Sequence, residues 1–150
     1  MADQLFNRAM MAHETGQTQQ AAIFLPEAIA AYRGLEPLDA DGLFHLALLQ
    51  LAVGNQSGAR ASADRILVAS PNHLLGLAAA AQASEQSAPN EAKAFWQRYL
   101  DAYDEQQGKL PEYGHHDKLF PMLNGRASEF IARGPGRAML PEAAAKPPAP

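Results

Sequence analysis

Apolar residues recur at three- and four-residue intervals along most of the chain, which is the spacing of an α-helix. Residues 43–51 show this most clearly, with Leu43, Leu46, Ala47 and Leu51 on one face. Alanine is abundant whereas valine and isoleucine are scarce, and this bias favours helix over strand. The pattern therefore predicts an all-α protein.

Glycines and prolines divide the pattern into short helices. We predict helices over residues 3–14, 18–34, 40–53, 57–69, 73–85, 89–106 and 113–132. The last of these contains Pro121 and Gly125, which are expected to kink or split it. The stretch that follows, 134–150, is rich in proline and alanine and is predicted to be a flexible tail. The residues suited to cap helix starts are Thr18, Asp39 or Asp41, Ser57 and Asn72.

The predicted helices form pairs that recur at a nearly constant spacing. Gly54 is followed five residues later by Ala59, and Ala92 lies 33 residues beyond Ala59. Pro37 and Pro71, each at the end of a pair, are 34 residues apart. A small residue where two helices cross lets their backbones approach, glycine permits the turn within a pair, and proline stops the second helix. The spacing indicates an internal helix–turn–helix repeat.

A repeat of this length with these marks resembles the tetratricopeptide repeat. The resemblance covers residues 2–106, in pairs at about 2–37, 40–71 and 73–106, and is best over 40–73. It implies a TPR-like domain over 1–133, a right-handed stack of three antiparallel helix pairs with a C-terminal closing helix at about 112–132. Three pairs are about the minimum for a stable stack. The closing helix is expected to cover the last pair with Leu119, Met122, Leu123, Phe130 and Ile131.

The resemblance also implies a function, that of a non-catalytic scaffold or adaptor that binds a segment of another protein. In the family, the first helix of each pair lines a concave groove in which partners lie. Carried onto this chain, the groove residues are Phe6, Met10, His13, Phe44, Leu48, Leu51, Ala78, Gln82 and Glu85. Their apolar strips predict a partner segment that is apolar in part. The centre of this set has no Lys, Arg or Asn, so the grip on a terminal carboxylate used by chaperone-binding repeat domains is not expected.

Composition excludes several classes of function. Apolar residues make up 47% of the 150 residues, which is more than a wholly disordered chain contains. Charged residues make up 19%, which is fewer than such a chain contains. The net charge of −4 does not suit nucleic-acid binding. There is no cysteine, which excludes disulfides and thiol catalysis. No apolar run approaches the roughly 18 residues of a membrane span, so we expect a cytoplasmic protein without one.

No constellation of catalytic residues is evident, and neither an enzyme activity nor a cofactor is predicted. His13, His45 and His73 are isolated in separate repeats, and each is predicted to make a partly exposed polar contact. His115 and His116 are adjacent, but neighbouring helical side chains point roughly 100° apart and do not easily chelate one ion. A metal site would need a third ligand from elsewhere, and no metal is predicted.

Several alternatives stay open at this point. The chain could be an unrelated alanine-rich bundle, a structural subunit of a larger complex that uses its outer face, a homo-oligomer, or a metal-binding protein centred on His115 and His116. The aromatic face formed by Trp96, Tyr99 and Tyr103 is interpreted as packing against the closing helix in preference to a ligand-stacking site.

Overall fold

The computed structural model describes residues 1–133, which form helices joined by short turns and contain no strand. The predicted tail, 134–150, lies outside the described residues. The helices are α1 (Ala2–Glu14), α2 (Thr18–Arg33), α3 (Ala40–Ala52), α4 (Gln56–Ala69), α5 (Leu74–Ser84), α6 (Pro89–Gln106), α7 (Pro111–His115) and α8 (Phe120–Arg133), with a 3-10 turn at Asp117–Leu119 before α8.

The segment predicted as one helix over 113–132 is split. Helix α7 ends at His115, and α8 begins at Phe120 with Pro121 in its first turn. A proline is tolerated in that turn because its missing N–H would have no partner there. Gly125 lies within α8 and does not interrupt it. The break therefore falls before the proline.

The first six helices pack as antiparallel pairs, α1 with α2, α3 with α4 and α5 with α6, and these are the most extensive contacts in the described chain. Gly16 and Gly54 make the turns within the first two pairs with φ angles of +74° and +81°, a region that favours glycine. The third turn has no such glycine, and Pro89 begins α6. The predicted pairing of helices is confirmed.

Neighbouring pairs stack through α2 with α3 and α4 with α5, while α3 also contacts the other two first helices, α1 and α5. One apolar core joins the second and third pairs to α7 and α8. A second core belongs to the first pair and includes Leu46 and Leu49 of α3. The central helix α3 thus contributes to both cores, which is why eight of its 13 residues are buried.

Small residues occupy the places where helices approach most closely. Ala47, Ala59, Ala63 and Ala92 have no exposed surface. At Gly76 of α5, a Cβ atom would lie 2.8 Å from the Cγ2 of Ile66 on α4. These contacts show why the repeat needs alanine and glycine at such positions, since a larger side chain would force the helices apart.

The predicted caps Thr18, Ser57 and Asn72 are wrong. Of the two alternatives predicted for the start of α3, Asp39 is right. Asp39 caps α3, accepting a 2.8 Å hydrogen bond from the Gly42 N–H. Asn55 caps α4 in place of Ser57, and His73 caps α5 in place of Asn72. Thr18 is the first residue of α2, and no side chain caps that helix. A capping side chain must precede the helix to reach the N–H of a residue in its first turn, and the starts of α4 and α5 lie one residue from their predicted positions.

Helix α8 closes the stack by packing on α6. Leu123 and Phe130 are buried in the core, Leu119 and Ile131 are partly buried, and Met122 is 62% exposed. Four of the five residues predicted to cover the last pair therefore do so. Met122 lies instead on the outward side of α8.

The aromatic side chains of α6 pack within this closure. Trp96 and Tyr99 have no exposed surface, and the Tyr99 hydroxyl donates a 2.7 Å hydrogen bond to Asn124 of α8. Tyr103 lies edge-on to Phe120, with ring centroids 5.9 Å apart. These contacts are those of packing against the closing helix.

Candidate functional site

A cavity of about 330 Å³ opens on the face formed by the first helices of the pairs, α1, α3 and α5, with the last part of the chain as a further wall. It is lined by Met10, His13, Glu14, Phe44, Leu48, Leu51, Ala52, Gln82, Leu119, Met122, Leu123 and Arg126. We call it the groove cavity. Its position on the first helices is the one that the repeat architecture predicts for a partner site.

Six of the predicted groove residues border the groove cavity together: Met10, His13, Phe44, Leu48, Leu51 and Gln82. Phe44 has no exposed surface and packs edge-on against the His116 ring. Among these six residues, the apolar side chains that stay partly exposed are those of Met10, Leu48 and Leu51. Their role in binding remains a prediction.

Three predicted groove residues lie elsewhere. Phe6 stacks on the His45 ring, with centroids 4.3 Å apart, because an aromatic partner is available on that side of α1. Ala78 is fully buried within the core of the second and third pairs. Glu85 is 3% exposed and covered by α8. Helical periodicity places a residue on a face, but the neighbouring helices decide whether that face is open.

Glu85 is held by Arg126, a residue that the sequence did not single out. The guanidinium donates from Nε to Oε1 at 2.9 Å and from Nη2 to Oε2 at 3.0 Å. The Trp96 indole N–H lies 3.4 Å from the same Oε1. This two-bonded ion pair joins α8 to the end of α5 beside the groove cavity. The only sequence signal for this ion pair is the presence of a basic residue, Arg126, within the predicted closing helix.

A cluster of polar side chains lies beyond Phe44, where the end of α7 meets the start of α3. The His116 Nε2 donates a 2.6 Å hydrogen bond to Asp41 Oδ1, and the His45 Nε2 lies 3.8 Å from the same oxygen. The hydrogen bond from His116 lowers the pKa of the Asp41 carboxyl. Burial lowers the pKa of the His45 imidazole. We call Asp41, His45 and His116 the His–Asp cluster.

Two of the three isolated histidines differ from the prediction of partial exposure. His45 is 8% exposed and His73 is 1% exposed, whereas His13 is exposed. His73 is buried because its ring caps α5 and its Nε2 lies 2.8 Å from the Glu112 carboxylate of α7. Glu112 is 39 residues from His73 in the sequence, so the spacing of the histidines does not reveal this contact.

The adjacent histidines differ in exposure, but both approach the Asp41 carboxylate. The His115 side chain is 66% exposed and its Nδ1 lies 3.8 Å from Asp41 Oδ2, whereas the His116 side chain is 10% exposed and its Nε2 lies 2.6 Å from Asp41 Oδ1. The acids close to His116 in sequence, Glu112 and Asp117, are not its hydrogen-bond partners. Its partners come from α3.

Comparison with solved structures identifies the architecture. The chain is similar to the crystal structure of the Sgt2 TPR domain from Aspergillus fumigatus, with a TM-score of 0.50 and 19% sequence identity over 99% of this chain and 86% of that one. No protein-family model matches the sequence. No curated protein matches it either. The chain therefore has the fold of a tetratricopeptide-repeat domain.

Within residues 1–133, no helix combines the length and apolarity that crossing a bilayer requires.

Proposed function

We propose that residues 1–133 form a single non-catalytic interaction domain, which binds a partly apolar segment of another protein in the groove cavity. The observation that carries this is the cavity on the first-helix face, where Met10, Leu48 and Leu51 stay partly exposed. Apolar side chains left open in a concave site gain free energy when a partner removes them from water. The cytoplasm is the location that we propose for this binding.

The size of the cavity limits what it holds. A volume of about 330 Å³ accepts a few side chains and not a whole helix. The partner segment would insert apolar anchor residues there, while His13 and Glu14 provide polar contacts at the rim. Because the apolar contact is small, we expect a modest affinity.

A charge placed in the groove cavity tests this proposal. Leu48→Asp leaves the fully buried core intact because Leu48 is only partly buried, whereas Phe44→Asp would test folding instead. The matched control is Val68→Asp on α4, where the side chain is 86% exposed. Wild-type protein and both variants are used as bait in the source lysate, and captured proteins are quantified by mass spectrometry.

We expect a specific partner to be retained by wild-type protein and Val68→Asp and lost by Leu48→Asp, with unchanged circular dichroism for all three. Equal capture by Leu48→Asp would refute binding in the groove cavity. If light scattering shows a dimer that only Leu48→Asp dissociates, the occupant is a second copy of this chain.

The outer face is a second candidate site, and exposed apolar residues favour it. Ile23 on α2 is 58% exposed and Val68 on α4 is 86% exposed. In this case the chain would be a structural subunit that docks through its second helices. Loss of the partner with Val68→Asp, and its retention with Leu48→Asp, is the outcome expected of that role.

A further inference from the structure

We propose that the His–Asp cluster is a site for a divalent transition metal, with Zn²⁺ as the best match, and that the metal joins the closing segment to the central helix α3. The ligands are Asp41, His45 and His116. This site is separate from the groove cavity and does not depend on the proposed protein binding.

The geometry of the three donor atoms suits one ion. One atom from each residue can be chosen so that all three lie within 4.8 Å of one another. Zinc bonds of about 2.0–2.2 Å in a tetrahedral site hold neighbouring ligands about 3.3 Å apart. The observed separations of 2.6 Å for His116 and 3.8 Å for His45 from Asp41 lie on either side of that distance. Small side-chain rotations would therefore complete the site.

Two of the ligands are placed by local structure. Asp41 and His45 are four residues apart on α3 and share one face of the helix. The His45 ring is stacked on Phe6, and the His116 ring lies edge-on to Phe44 with centroids 5.1 Å apart. Packed rings of this kind lose little freedom when a metal binds, which favours affinity.

The partners of His45 select the tautomer that a metal ligand needs. The Tyr32 hydroxyl donates to Asp3 Oδ1 at 2.5 Å and lies 2.8 Å from His45 Nδ1. Since that hydroxyl gives its proton to Asp3, it accepts a hydrogen bond from Nδ1–H. The lone pair of His45 Nε2 then faces the Asp41 carboxylate, so that two hydrogen-bond acceptors lie opposite each other. A cation between the two groups would be bound by both of them. The hydrogen bond from Nδ1–H to the Tyr32 hydroxyl is the kind of support that metal-binding histidines typically have.

An approach for the ion and room for a water ligand are also present. Asp41 and His45 border an open cavity of about 340 Å³, whose lining also includes Asp3 and Asp39. Among the described residues that line it there is no lysine or arginine. The surroundings therefore attract a cation. Two imidazoles and one carboxylate, with water as the fourth ligand, form a donor set that zinc accepts.

Binding would displace the hydrogen bond between His116 and Asp41. The His116 ring binds the metal through Nε2 as the neutral tautomer, so its proton passes through solvent from Nε2 to Nδ1, while Asp41 and the His45 Nε2 supply the other two bonds. Because His116 connects α7 to the 3-10 turn before α8, the metal would fasten the closing segment to α3 next to Phe44.

Metal binding by the full untagged chain tests this inference. Protein treated with a chelator and dialysed is titrated with Zn²⁺ by calorimetry, and Co²⁺ is used as a visible reporter of tetrahedral coordination. The ligand variant is His116→Ala, and the control is His13→Ala, which removes an exposed ring on α1 that does not contact the cluster. Asp41→Asn serves as a second ligand variant if His116→Ala loses its helical circular dichroism.

We expect one Zn²⁺ per chain in wild-type protein and His13→Ala, and at least a tenfold weaker affinity in His116→Ala or Asp41→Asn. Tyr32→Phe should weaken binding by about 10–100-fold because it removes the support of His45. Zinc should raise the melting temperature of wild-type protein and not that of the ligand variants. Absence of stoichiometric binding by wild-type protein, or equal binding by the ligand variants, would overturn the inference.

Discussion

At the scale of single residues, Gly76 shows how close the second and third pairs lie. It is buried at the start of α5, where an added Cβ would lie 2.8 Å from Ile66 Cγ2 and 3.0 Å from Leu67 Cδ2. Those atoms belong to side chains packed between the helices, so they have little space into which to move. The absence of a side chain at this position is therefore a packing requirement.

We predict that Gly76→Ala destabilises the protein although alanine favours helix. Overpacking typically costs about 1–3 kcal/mol, against a gain of about 1 kcal/mol in helix propensity, so we expect a net loss of about 1 kcal/mol. The control is Gly125→Ala on α8, where an added Cβ meets no atom within 4 Å. That variant should be stabilised by about 0.5–1 kcal/mol. Urea unfolding measures both, and equal effects would contradict the packing argument.

At the scale of helices, the ion pair between Arg126 and Glu85 fixes the position of α8. The Glu85 side chain is 2% exposed, whereas that of Arg126 is 42% exposed. A buried carboxylate depends on its partner far more than a surface carboxylate does. The pair therefore determines how the closing helix meets the end of α5, and it sets one wall of the groove cavity.

Arg126→Ala should lower the free energy of unfolding by about 2–3 kcal/mol, because Glu85 keeps a buried charge without its guanidinium. The matched control on the same helix is Arg133→Ala, whose pair with Glu129 is exposed and should contribute less than about 1 kcal/mol. Adding Glu85→Gln to Arg126→Ala should recover part of the loss. Thermal and urea unfolding provide the measurement, and similar losses in the two single variants would argue against this role of Arg126.

At the scale of the whole molecule, the second and third pairs, α7 and α8 share one core, and buried tyrosines lie within it. Tyr99 has no exposed surface, and burial raises the pKa of its hydroxyl above the ordinary value of 10.0. The same cause raises the pKa of Tyr113. Ionising either tyrosine in the folded protein would place a charge in the core. The folded state therefore keeps both hydroxyls protonated to a higher pH than the unfolded state does.

This opposition predicts instability at alkaline pH. Above pH 10 an unfolded tyrosine loses its proton while folded Tyr99 keeps its own, so the unfolded state binds fewer protons and stability falls as pH rises. Each such tyrosine contributes a slope of at most about 1.4 kcal/mol per pH unit. Urea midpoints measured between pH 8 and about 11 should fall, and less steeply in Tyr99→Phe. An identical slope in that variant would show that Tyr99 does not contribute.

The sequence by itself determined the first six helices and their pairing. Periodic apolar residues and the turn glycines at 16 and 54 act over a few residues, so they can be interpreted without knowing the neighbours. The 34-residue spacing of Pro37 and Pro71 then predicted the repeat, and the resemblance to the tetratricopeptide repeat implied the face that carries Met10, Leu48 and Leu51. These are properties of local order, which a linear pattern records directly.

Only the tertiary structure decided which predicted groove residues stay open and where the histidines lie. Ala78 is buried in the shared core, Glu85 is closed off by α8, and His116 meets Asp41 from 75 residues away. Burial and the approach of polar groups depend on how the closing segment folds back over α3 and α5. Such contacts leave no periodic trace in the sequence, because each arises from one encounter between distant parts of the chain.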